Sequence, residues 1–120
     1  MPGERKEAYT VQELDPMKCL GFNNIVVNCG LNDIRKPNIK THEQVKSIYV
    51  DFKTKIEHIS RVNNRARIFV APMLPTALPE VNRKCRMFNR LIFDDLIQFN
   101  RNVSSVNGFD QLAGSDGWLY

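Results

Sequence analysis

Nowhere in the chain do apolar residues run for the ~18 positions that a membrane-spanning helix needs. The opening Met1-Pro-Gly-Glu-Arg-Lys-Glu7 has no apolar stretch of the kind that a secretory leader carries. These absences predict a chain that stays off the membrane, in the cytoplasm. Cysteine is scarce as well: Cys19, Cys29 and Cys85 include no Cys-x-x-Cys pair and leave one thiol over. That spacing argues against a disulfide framework and a cysteine-based zinc site, and it suits a reducing compartment. Histidine ends at His58, so everything after it lacks an imidazole base or ligand. No metal and no cofactor is expected.

What remains is the composition of a globular chain. It has 120 residues, 42% hydrophobic and 25% charged, with a formal net charge of +4, enough for one domain at most. The periodicities alternate between strand and helix. Ile25-Val-Val27 is a strand core, and Thr41-His-Glu-Gln44 offers a capping box. Val45, Ile48, Tyr49, Phe52, Ile56 and Ile59 then recur at helical spacing to about Val62, where Asn63-Asn64 closes the helix. Arg67-Ile-Phe-Val-Ala71 reads as a second strand. Three prolines make Pro72 to Pro79 irregular, and Pro79 suits a first helical turn. The stripe Val81, Cys85, Phe88, Ile92, Leu96 and Phe99 predicts a second long helix, and Asn102 to Asn107 a third, weaker strand. Strands separated by helices of this length predict an α/β fold with parallel pairing and right-handed crossovers.

Open parallel sheets bind ligands outside the carboxyl ends of their strands, which directs attention to Cys29 to Arg35, Pro72 to Pro79 and Gly108 to Tyr120. The first of these loops is the most informative. In Asn24-Ile-Val-Val-Asn-Cys-Gly-Leu-Asn-Asp33 an apolar run ends in Gly30-Leu31-Asn32-Asp33, so a buried strand would deliver polar groups into a cleft. A neutral Asn amide there can donate to an oxyanion without introducing charge, and Gly30 lets backbone approach closely. Asp33 is expected to shape the loop by accepting backbone hydrogen bonds.

Gly30-Leu31-Asn32-Asp33 resembles the Gly-x-Asn-Asp block, the third, of the SGNH (GDSL-type) hydrolases. The tract Ile68-Phe-Val-Ala-Pro-Met-Leu-Pro-Thr76, with Asn82-Arg-Lys-Cys-Arg-Met-Phe-Asn-Arg-Leu91 after it, is similar to the strand, proline-bearing loop and helix that follow that block. Such arrangements are common in esterase-like domains encoded by retroelements. The resemblance implies a three-layer α/β/α, flavodoxin-like fold with sheet order 2-1-3-4-5, of which the three strands read here would be the third, fourth and fifth. It implies an oxyanion hole made by the Asn32 side chain and, by position, the backbone N–H of Gly3 in Pro2-Gly3-Glu4. Gly30, Leu31, Pro72, Met73 and Leu74 would line the site of an ester or acetylated small-molecule substrate, and the third loop would run towards the catalytic His.

Two blocks of that family have no counterpart. No Gly-Asp-Ser tripeptide supplies a nucleophile, and no Asp-x-x-His supplies a base. Gly114-Ser115-Asp116 has the right residue types in the wrong order and place. The expectation is therefore the middle and rear of an SGNH-type domain, cut at both ends and inactive as it stands, with Ile25 to Val27 as an edge strand prone to association. The alternative is a non-catalytic SGNH-like module that contacts RNA through a basic surface.

Other features have plainer readings. Cys29 lacks an evident His or Lys partner and is expected to be a structural thiol. Arg83, Lys84, Arg86 and Arg90, with Arg35 and Lys36, form a basic surface that reads first as solvated helix face, with nucleic-acid contact as the alternative. Asp94-Asp95 has no third ligand at useful spacing and reads as a solvent-facing pair. His42 and His58 fall beside a capping position and in a last helical turn, where solvation or the helix C-terminus accounts for them.

Overall fold

The alternation of side chains along Ile25-Val26-Val27 and Arg67-Ile68-Phe69-Val70 decides which sheet face carries the core. In the computed structural model, which describes residues 10–74 and 76–105 and the backbone of 118–119, strands β1 (Asn24–Val27), β2 (Arg67–Val70), β3 (Val103–Ser105) and β4 (Trp118–Leu119) form one parallel sheet in the order β3-β2-β1-β4. The register sets Ile25 beside Ile68 and Ile68 beside Val103, with Val27 beside Val70. With a side-chain period of two, these residues share one face, and all five belong to the main apolar core. Val26 and Phe69 point the other way.

Helix α2 (His42–Val62) opens as its sequence predicts. Thr41 Oγ1 accepts from the Gln44 N–H, and the Gln44 side chain accepts from the Thr41 N–H, which completes the capping box. At its far end Asn63 donates through Nδ2 to the carbonyls of Cys19 and Phe22, so the helix terminus also anchors the segment before β1. Val45, Tyr49, Phe52, Ile56 and Ile59 are buried along one stripe. Helix α3 (Pro79–Leu91), with Pro79 in its first turn, buries Val81, Cys85 and Phe88. The two stripes meet at Phe88, whose ring lies edge-on to Tyr49 and Phe52 at centroid distances of 5.9 and 5.5 Å. A fourteenth-residue continuation of α3 as an α-helix does not occur: Ile92–Ile97 winds as a π-helical segment.

Three expectations are corrected. The strand at Ile25 to Val27 is not an edge, because β4 pairs with it in parallel, Ile25 beside Trp118 and Val26 beside Leu119. Phe99 does not continue the buried stripe but is 71% exposed, since the wider π turn breaks the 3.6-residue period after Leu96. Lys84 does not belong to the basic surface, because it is 2% exposed and sits within the apolar stripe of α3. The mixed α/β class with parallel strands is as the sequence predicts. Among the described residues no helix is long and apolar enough to cross a membrane.

Candidate functional site

The carboxyl end of β1 turns sharply at Gly30, which has φ of +104° and caps the short helix α1 (Leu31–Ile34). Only glycine takes that backbone region without strain. The Gly30 carbonyl accepts from the N–H groups of Asp33 and Ile34, so the positive φ commits the chain to a helical turn at once. This turn carries Asn32. Ile34 is fully buried and Leu31 packs against the core, while Asn32 and Asp33 are half-buried at its rim.

The Asn32 side chain makes no hydrogen bond with any described residue. Its amide atoms are nevertheless not sealed from solvent, for among described half-buried or buried side chains the only enclosed polar atom lacking a partner is Ser105 Oγ. An amide so placed can donate to an incoming group. Asp33 Oδ2 accepts from the Val11 N–H at 2.9 Å, which ties the turn to the segment at Val11. From the other side Lys55 Nζ donates to the carbonyls of Val11 and Gln12, each at 2.6 Å, so the backbone at Val11 is gripped between α1 and α2.

A third anchor holds the far side of α1. The buried Lys84 ammonium donates to the carbonyls of Ile39 and Lys36 at 2.7 and 3.2 Å, and the neighbouring Arg83 donates to the Lys40 carbonyl at 2.8 Å. A charge taken out of water is tolerated where its donors are matched to acceptors. The loop after Asn32 is thereby tied to α3.

The second loop is built by α3 as well. Asn89 Oδ1 accepts from the Met73 N–H and Asn89 Nδ2 donates to the Met73 carbonyl, at 2.8 and 3.0 Å. Asn82 does the same to Thr76, at 2.5 and 2.7 Å. Two side-chain amides seven residues apart on one helix face thus satisfy backbone groups of this irregular loop. Met73 is buried against Gly30, Pro72 is half-buried, and Leu74 is 57% exposed. So the structure joins Gly30, Leu31, Asn32 and Met73 at one sheet edge, with Pro72 and Leu74 farther along the second loop.

Cys29, one residue before Gly30, is a protonated thiol: burial first, then the nearby Asp33 carboxylate, push it up to about 12. It is no nucleophile at neutral pH, in line with a structural role. Gly3, the Gly114-Ser115-Asp116 sequence and the third loop lie outside the described residues, apart from the backbone of β4. His42 is exposed and His58 half-buried on α2. Asp94 is exposed with Arg90 at 3.7 Å, but Asp95 departs from the solvent-facing reading, since its Oδ2 accepts from Tyr49 Oη and Lys53 Nζ at 2.6 and 2.7 Å. No group of three or more His, Cys, Asp or Glu side chains able to hold a metal occurs among the described residues.

Sequence reading missed Lys55, Lys84, Asn82 and Asn89. Lys84 left a visible signal, a lysine three residues after Val81 and four before Phe88, which is to say inside the apolar stripe. Asn82 and Asn89, flanking the same stripe beside a proline-broken loop, left a fainter one. Comparison of the chain with models of known protein families, with curated proteins and with solved structures finds no match.

Proposed function

We propose that this chain carries the oxyanion-binding and pocket-lining part of an SGNH-type ester hydrolase. The chemistry is attack by a serine of a Gly-Asp-Ser block on a carboxylic ester, or on an acetyl group of a sugar or lipid, with a histidine of an Asp-x-x-His block as base. The three-layer, flavodoxin-like arrangement belongs to the same proposal. The observation that carries it is Asn32, a half-buried amide with no partner among the described residues, open to solvent at the carboxyl edge of a parallel sheet. The β3-β2-β1 part of the sheet supports it, being the order that strands five, four and three of that fold would have, whereas β4 takes the place beside β1 that strand one of that fold would fill.

As the serine attacks, charge moves onto the carbonyl oxygen, and a fixed neutral donor stabilises it more strongly in the transition state than in the ester. Fixing is what the anchors at Asp33, Lys55 and Lys84 supply. The Gly3 N–H would be the second donor. Since neither the serine block nor the histidine block occurs in these 120 residues, they alone should not hydrolyse p-nitrophenyl acetate above a protein blank. In a polypeptide that joins them to both blocks, Asn32→Ala should lower kcat by ~100- to 1,000-fold with little change in KM. Unchanged turnover in a folded Asn32→Ala protein would remove the proposal.

A further inference from the structure

Beside the second loop, α3 borders a cleft of about 250 Å³ lined by Met73, Asn82, Cys85, Arg86 and Asn89. Its walls are set by the chain itself. Asn82 and Asn89 each commit a donor and an acceptor to the backbone of Thr76 and Met73, so the loop cannot drift from the helix without breaking four hydrogen bonds. Met73 and Cys85 are 7% and 2% exposed and supply apolar surface. Burial pushes the Cys85 thiol up, which keeps it neutral.

Arg86 is the lining residue without an internal task. Arg83 on the same helix is paired with Glu80 at 2.6 Å and Arg90 with Asp94 at 3.7 Å, whereas Arg86 is exposed and its side chain makes no hydrogen bond or ion pair with any described residue. None of the described residues lining the cleft is acidic. Among the described residues the cleft therefore offers one cation, apolar side chains and no competing anion.

We propose that this cleft binds a small organic monoanion, a carboxylate on a short apolar body. The Arg86 guanidinium takes the carboxylate, whose two oxygens match its fork of N–H donors. The body lies against Met73 and Cys85. A volume below the ~300–1,000 Å³ of sites for drug-sized ligands restricts the body to a few carbons, and one guanidinium balances a single negative charge. The inference rests on the lining of the cleft and is independent of Asn32.

The test is calorimetric titration of the 120-residue protein with hexanoate and with its neutral isostere hexanamide, repeated in Arg86→Gln and in Asn32→Ala. Hexanoate should bind saturably, at least about tenfold more tightly than hexanamide, and Arg86→Gln should abolish that difference while Asn32→Ala preserves it. Equal binding of acid and amide, wild-type affinity in a folded Arg86→Gln protein, or no saturable binding below ~10 mM would overturn the inference. Loss of hexanoate binding in Asn32→Ala but not in Arg86→Gln would also overturn it, by placing the anion at the tip of β1 and leaving the oxyanion proposal standing.

Discussion

Met73 packs on Gly30 so closely that a β-carbon at Gly30 would stand 3.1 Å from the Met73 methyl, with Phe88 and Val11 at 3.6 and 3.7 Å. The two loops of the candidate site are thus in direct contact, and Gly30 is required twice, by its φ of +104° and by the space it leaves. Gly21 has a φ of +87° but nothing within 4 Å of its missing β-carbon.

The pair makes a controlled experiment. Gly21→Ala should cost about 1–2 kcal/mol, the conformational term alone, and Gly30→Ala should cost more by the displacement of Met73, about 1–3 kcal/mol on top. Urea unfolding of both variants measures the difference. Equal losses would mean that the Met73 contact yields without cost.

Lys84 should be needed as a donor. Lys84→Met keeps the length of the side chain and removes the ammonium, which leaves the carbonyls of Lys36 and Ile39 without their partner and should destabilise the protein by about 1–3 kcal/mol. The same substitution at the exposed Arg86 should stay within about 0.5 kcal/mol. Chemical denaturation of the two variants checks this, and an equally mild Lys84→Met would show that the loop holds itself.

The elements were legible where one physical rule governed them. The capping box at Thr41, the α2 stripe, the Pro79 helix start and the β1 and β2 runs each follow from local chemistry, and each is found. Phe99 was not legible, because nothing in Ile92 to Ile97 announces that the turn widens. The partner of β1 was not legible either, since Trp118-Leu119 is too short to carry a strand period. At the site, Gly30 and Asp33 could be read from residue type alone. Asn82, Asn89, Lys55 and Lys84 could not, because each acts on backbone 6 to 48 residues away in sequence, a distance that only the fold brings together.

The Tyr49, Lys53 and Asp95 network should appear in the acid limb of stability. Hydrogen bonds from Lys53 first and Tyr49 second hold the Asp95 carboxyl below its ordinary range. Its folded pKa lies below its unfolded value of ~3.9, so its contribution is present above that pH and is lost as pH falls through the folded value. Lys53 is raised, chiefly by the bond to Asp95, so its share is full below ~10.4 and is lost as pH rises through its folded value. With side chains 30% and 33% exposed, the pair is worth no more than ~1 kcal/mol. Asp95→Asn should therefore be less stable than wild type at neutral pH and converge with it in acid. A gap that stays constant to about pH 2 would contradict the assignment.

The thiols should be quiet in the native protein. Cys19 and Cys85 are buried, and Cys29 is pushed up to about 12. At pH 8 an aromatic disulfide reagent should react with all three far more slowly than with free cysteine, and at the rate of free cysteine once urea unfolds the chain. Rapid labelling of Cys29 in the folded protein would show a thiolate that its surroundings should not permit.

Whether the Asn32 amide donates to a tetrahedral oxyanion is most directly read from that amide. The measurement is a titration of the 15N-labelled protein with O-ethyl methylphosphonate, a monoanion shaped like the intermediate of ester attack. The account predicts saturable displacement of the Asn32 side-chain NH2 resonances and of the backbone amides from Gly30 to Asp33, retained in Arg86→Gln and abolished in Asn32→Ala. Phosphonate binding that leaves the Asn32 amide unmoved, or that is unchanged in a folded Asn32→Ala protein, would contradict it.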